Sequence, residues 1–195
     1  MIFYHFTVSK YPITMRKILL LFFICLTSTM YAQKYTPVDE GSKVHFTIKN
    51  FGIKTGGQLS GLKGDVYFFT TDLSACRFNV AVDASTIDTD NESRDSHLKK
   101  AEYFDVEQYP EITITSTKID KTNKTESGYY YFTGTLSLHG VTKPIAFPFH
   151  VEKVNDSYLF TGEFQINRLD YNVGSSSAVL SDMVNVSLSV MTKKS

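Results

Sequence analysis

The sequence predicts an all-β fold, an eight-stranded antiparallel β-barrel with a short helical cap between strands three and four, and three observations carry that reading. Apolar and polar residues alternate in about eight segments between Lys43 and Met191, the period a half-buried antiparallel strand requires. In the clearest segment Val184, Val186, Leu188 and Val190 share one face while Asn185, Ser187 and Ser189 share the other. The aromatic inventory, twelve Tyr and fifteen Phe with no Trp, favours strands over helices. Most segments are joined by short turns, which suit up-and-down antiparallel order. Closing about eight such strands encloses just enough room for side chains or one small apolar ligand.

Taken in order, strand one places Val44, Phe46 and Ile48 inward, with His45, Thr47 and Lys49 outward. Strand two runs from about Gly56 to Phe69, and Gly57, Gly61 and Gly64 stand where a barrel strand bends or bulges. Strand three turns Cys76, Phe78, Val80 and Val82 inward. Strand four, near Glu111 to Ile119, alternates Ile112 and Ile114 with threonines. Strand five offers Tyr130, Phe132, Leu136 and Leu138; strand six Ile145, Phe147, Phe149 and Val151; strand seven Phe160, Phe164 and Ile166. Turns are expected at Thr70 to Ser74, His139 to Pro144 and Asn155 to Ser157. Pro148 cannot donate to a ladder, so it belongs at a bulge or an unpaired edge.

One connection stands apart. The 26 residues from Ser85 to Pro110 far exceed the usual hairpin loop, and loops of that length tend to be lids or binding segments. Asp90 or Asn91 can cap a short helix there, with Glu92 in its first turn. That helix carries Arg94, Asp95, His97 and Leu98 and is followed by Tyr103 and Phe104. Such a segment reads as a cap over one barrel mouth, or equally as a plug that only seals the core.

Residues 1–32 read as a secretory signal peptide. Arg16-Lys17 is a basic start, Ile18 to Leu26 is a nine-residue apolar run, and small polar residues lead to cleavage after Ala32. Met15 directly precedes the basic pair, so residues 1–14 are read as an over-extended start. Phe23-Ile24 before Cys25 is not the small-residue box of a lipoprotein. The fold is thus assigned to 33–195, periplasmic or secreted, where Cys76 stands alone and serves as a small buried hydrophobe. Without Lys10, Arg16 and Lys17 the remainder has seventeen bases against twenty acids, which excludes the basic footprint of a nucleic-acid binder.

Catalytic groups are sparse. No histidine pair has metal-ligand spacing, no cysteine pair exists for zinc, and Gly174-Ser175-Ser176-Ser177 lacks a nucleophile elbow. Asp95 and His97 are the best candidates for chemistry, but residues two apart on a helix do not face each other. Arg94 and Asp95 are expected instead to tie the cap to the barrel rim through ion pairs. The inward faces are apolar and aromatic, and Gly134, Gly162 and Gly61 occupy inward phases without filling volume. That pattern fits either a channel for one lipophilic molecule or a solid core.

Ser85 to Ile112, reading STIDTDNESRDSHLKKAEYFDVEQYPEI, resembles the signature of the YceI-like family, the polyisoprenoid-binding proteins of the bacterial periplasm. Gly134 to Pro144 (GTLSLHGVTKP) and Arg168 to Gly174 (RLDYNVG) extend the resemblance, which covers Tyr35 to Lys193. It implies a lipocalin-like barrel around a long isoprenoid or other amphiphilic chain. It also marks Arg94, Asp95, His97, Leu98, Phe104, Asp105 and Pro110 in the cap, His139-Gly140 in a turn, and Arg168, Asp170 and Gly174 near the end. Asn172 replaces a frequent family glycine, a substitution a left-handed backbone tolerates.

The expectation is therefore a non-catalytic carrier of a lipophilic small molecule such as a polyisoprenoid, an isoprenoid quinone or a fatty-acid-like amphiphile, with no other cofactor and no metal. The expected lining is Phe46, Ile48, Phe78, Val80, Tyr130, Phe132, Leu136, Phe147, Phe149, Phe164, Val186 and Leu188. An enzyme acting on a lipid headgroup with Asp95 and His97 is the first alternative, and a ligand-free structural or stress module the second. Transient membrane contact and a homodimer stay open.

Overall fold

The computed structural model describes residues 33–123 and 126–195. The signal-peptide expectation for residues 1–32 lies outside the described residues. Eight strands follow one another around a closed barrel: β1 Lys34–Asn50, β2 Ile53–Tyr67, β3 Arg77–Asp88, β4 Glu111–Lys121, β5 Tyr129–Leu138, β6 Val141–Val154, β7 Ser157–Asn167 and β8 Leu180–Lys194. Each pairs antiparallel with the next, and β8 returns to β1, so every strand has two neighbours. One α-helix, α1 (Glu92–Leu98), lies between β3 and β4.

The expected alternation is present, and its phase depends on bulges. β1 begins at Lys34, nine residues ahead of the expected alternation, because its pairing with β8 slips between Val38 and Lys43. Tyr35 and Pro37 are buried on odd numbers before the slip, whereas Val44 is buried on an even number after it. Ser42 holds the slip, its hydroxyl donating to Val38 O at 2.5 Å and accepting from Met191 N at 2.7 Å. The Asp39 carboxylate accepts from Gly61 N and Leu62 N, where β2 in turn slips against β3. Gly61, at φ +73°, is therefore a bulge residue and not a vacancy in the lumen.

The β5–β6 turn is shorter than expected, only His139 and Gly140, and Val141 to Pro144 belong to β6. Pro148 meets its expectation. β6 pairs with β5 along its length, but its ladder with β7 runs only from the Phe149–Gly162 pair to the Val154–Ser157 pair. Val151 N donates toward Gly128 O on the β5 side, so amides of odd-numbered β6 residues face β5 and those of even-numbered residues face β7. Pro144 and Pro148 thus aim their donor-less nitrogens at a stretch that β7 has left. The turn Arg168–Tyr171 closes that seam, with Tyr171 and Val173 packed among Leu136, Leu138 and Ile166.

One end of the barrel is solid. Phe68 is 1% exposed and meets Phe78, Tyr130, Tyr158 and Phe160 edge-on, with centroids 5.2 to 6.2 Å away. Tyr35 and Cys76 are buried beside it. Such ring pairs each add about 0.5–1.5 kcal/mol beyond the area they bury. Burial pushes the Cys76 thiol pKa up, consistent with its reading as a small hydrophobe.

Candidate functional site: a capped apolar cavity

Toward the opposite end, inward residues are only half-buried because they face open space. Phe46, Ile48, Phe164, Val184, Val186 and Leu188 are all in this state, while Thr47, Lys49, Asn185 and Ser187 on the outer face are exposed. Apolar inside and polar outside is the reverse of a membrane-spanning barrel. The enclosed space is a cavity of about 380 Å³, within the range of small-molecule pockets.

Of the expected lining, Phe46, Ile48, Phe78, Val80, Phe132, Leu136, Phe147, Phe149, Phe164, Val186 and Leu188 stand on the cavity wall. Tyr130 does not. It packs against Phe68 and Phe149 in the solid end, so its assignment to the lumen is corrected. Inward phase alone does not separate wall from plug, because both lie along the same strands.

The inward glycines do not hollow the lumen in the expected way. A Cβ on Gly134 would lie 2.7 Å from the Phe132 ring, and one on Gly162 would lie 3.0 Å from the Phe147 ring. These glycines let the rings lie back against the wall. Phe132 stacks on Phe147 at 4.9 Å, and Phe147 on Phe164 at 4.7 Å, giving three nearly parallel rings across β5, β6 and β7.

The cap closes over the mouth. Asn91 caps α1, its Oδ1 accepting from Arg94 N at 2.9 Å. Thr89, 4% exposed, is the hub that joins cap to barrel. Arg94 Nε donates to Thr89 Oγ1 at 2.8 Å and its Nη2 donates to the Thr89 carbonyl, while Thr89 N donates to Asp95 Oδ1 at 2.9 Å. Thr89 Oγ1 in turn donates to the same carboxylate oxygen. The expected ion pairs are thus replaced by hydrogen bonds to one threonine, and neither Arg94 nor Asp95 has an ion pair among the described residues. Sequence reading missed Thr89; nothing in its local pattern marks a hub that arises from the chain folding back.

Arg94, His97, Leu98 and Phe104 stand on the cavity wall, together with Thr89 and Tyr103; Asp95 does not. His97 instead rests against the Tyr103 ring, centroids 4.8 Å apart, and no hydrogen bond joins it to Asp95 among the described residues. Asp95 is engaged by Thr89 and His97 by Tyr103, so the two are not coupled to each other. Arg168, 4% exposed, also reaches the wall but its donors are engaged: Nε to Ser181 O, Nη1 to Val173 O, and Nη2 to Asp182 Oδ1 at 3.0 Å. His139 Nδ1, 3.0 Å from Asn172 O, donates to that carbonyl, and Asn172 takes the left-handed backbone expected of it, at φ 56°. The family-marked residues at both places thus hold the rim of the mouth.

Fold and cavity together define a calyx: a closed antiparallel barrel plugged by aromatic rings at one end and capped by a helix at the other. The chain belongs to the YceI-like family, whose domain matches residues 35–192. It is 30% identical over 173 residues to Protein YceI of Salmonella arizonae, covering 84% of this chain and 88% of that one. A UPF0312 protein of Pectobacterium atrosepticum is 33% identical over 113 residues, a match spanning 57% of each chain. Among solved structures, Burkholderia cenocepacia BcnA superposes with TM-score 0.72 at 22% identity, over 79% of this chain and 98% of that one. A polyisoprenoid binding domain from Saccharophagus degradans, implicated in plant cell wall breakdown, gives 0.65 at 16%, over 83% and 98%. At these identities the two structures show the shared fold.

Proposed function

We propose that this protein is a non-catalytic carrier or store that holds the hydrocarbon chain of an amphiphile in the barrel, with its polar head at the capped mouth. The observation that carries this is the distribution of polarity on the cavity wall. Apart from His45 and Thr161, at outward phases, the polar wall residues are Asn50, Thr55, Thr89, Arg94, His97 and Arg168, all at the mouth. Everything deeper is aliphatic or aromatic. Each methylene moved from water into such a wall contributes about 0.8 kcal/mol, so a few isoprene units suffice for micromolar affinity after the costs of association. A wall without hydrogen-bonding partners selects by length and bulk more than by headgroup. The polyisoprenoid-binding name of the Saccharophagus neighbour supports the same ligand class.

Export to the periplasm or exterior, as the N-terminal segment suggests, suits a carrier that moves lipid through water. Natively purified protein, extracted with organic solvent and analysed by mass spectrometry, should yield a stoichiometric prenyl or acyl amphiphile. Extracts empty of lipid at every purification stage, from protein that also takes up no added amphiphile, would refute the carrier reading.

A further inference from the structure

We propose that the tip of the β1–β2 hairpin is a membrane-docking element that sets the barrel mouth against an anionic lipid surface. The inference rests on the carrier reading and adds the route by which hydrocarbon enters. Of five large apolar side chains exposed among the described residues, four lie at the mouth end: Phe51 (73% exposed), Ile53 (72%), Val179 and Met183. Phe51 N donates to Val179 O at 2.9 Å, and Met183 precedes the Val184–Ile48 pair that joins β8 to β1.

The turn itself has an unfavourable residue for its shape. Phe51 and Gly52 both have positive φ, 50° and 77°, a two-residue turn for which Asn-Gly is the favoured sequence. A bulky aromatic in the left-handed region is an outlier, and here the residue is 73% exposed instead of being held in a core. Lys49 and Lys54 then stand directly opposite each other at the base of the tip, and neither has an ion pair among the described residues. Like charges across a ladder repel.

The tip is bonded to β8 on its β1 side but unpaired on its β2 edge. β2 pairs with β3 only from Gln58 onward, so Ile53 to Gly57 overhang β3, and Asn50, Thr55 and Gly56 of the same hairpin line the cavity. One anionic membrane surface accounts for all of these features. Headgroups neutralise the facing lysines, acyl chains receive Phe51 and Ile53, and the cavity wall continues directly from the inserted tip. A second copy of the chain does not fit, because a two-fold contact through this tip would bring four lysines together.

The test uses the chain expressed with its own N-terminal segment and purified as the cell processes it. It is mixed with phosphatidylcholine vesicles with or without phosphatidylglycerol, and sedimented. The parent should partition onto the anionic vesicles and release with salt. Phe51→Asn should fold at least as stably, since Asn suits the turn, yet partition roughly ten- to a hundredfold less, as the loss of one buried ring implies. The double variant Lys49→Glu/Lys54→Glu should lose the preference for phosphatidylglycerol. All three proteins should bind a water-dispersed fluorescent fatty acid equally. If none of them binds that probe while vesicle partition behaves as stated, the carrier reading fails and docking stands. Docking is overturned if the parent ignores anionic vesicles, if Phe51→Asn partitions like the parent, or if the parent is a dimer that Phe51→Asn dissociates without vesicle binding.

Discussion

Arg94, Thr89 and Asp95 form a chain of hydrogen bonds in which the threonine receives from one side chain and gives to the other. Removing the acceptor orphans a buried N–H and a hydroxyl, a loss of about 1–3 kcal/mol. Asp95→Ala should therefore lower the unfolding free energy in a denaturant titration by that amount, while Asp95→Asn, which keeps an acceptor, should recover most of it. Phe68, touched edge-on by four rings, should be costly to truncate: Phe68→Ala is expected to lose about 3–5 kcal/mol in the same assay. Cys76 is buried with its thiol pKa raised, so iodoacetamide should leave the Cys76 peptide unmodified in native protein and label it in denaturant. Lining residues at inward phases were legible because strand period fixes which face a residue takes. Thr89 and Phe68 were not, since each draws its partners from distant strands or the returning cap.

At the scale of elements, period and turn chemistry located all eight strands and the short helix, and narrowed its cap to Asp90 or Asn91, of which Asn91 caps it. Their misplaced ends have a physical cause. The slip in β1 shifts the buried set from odd to even positions, so Lys34 to Val38 do not continue the alternation that begins at Lys43. Pro148 was legible as a problem, because a missing donor must face an unpaired side. Its solution, the seam between β6 and β7, needed the register. That seam makes a prediction for amide exchange. The Ala146 amide, aimed at the side β7 has left, should exchange much faster than that of Phe147, which faces the β5 ladder. Equal protection of the two amides would mean β7 pairs further along β6 than described.

For the whole molecule, the question left open by sequence was whether the barrel is hollow. Inward glycines could have signalled either outcome, and their actual role, letting Phe132 and Phe147 lie back against the wall, depends on ring orientations that no alternation pattern encodes. The cavity of about 380 Å³ instead follows from the division of labour along the axis: aromatic rings fill one end, and β1 and β8 present the smaller Ile48, Val184 and Val186 toward the other. Val186 lies between Phe46 and Phe164 on the wall, paired with both, so a larger side chain there projects into open space. Val186→Trp should therefore leave the fold intact and occupy the room that hydrocarbon would take.

The most direct measurement titrates a fluorescent long-chain amphiphile into delipidated parent protein and into Val186→Trp, with circular dichroism confirming that both are folded. An internal binding chain predicts micromolar saturation of the parent with one equivalent and at least tenfold weaker binding by the filled variant. Equal affinity for the two proteins would place the ligand elsewhere and contradict a lipid-holding lumen.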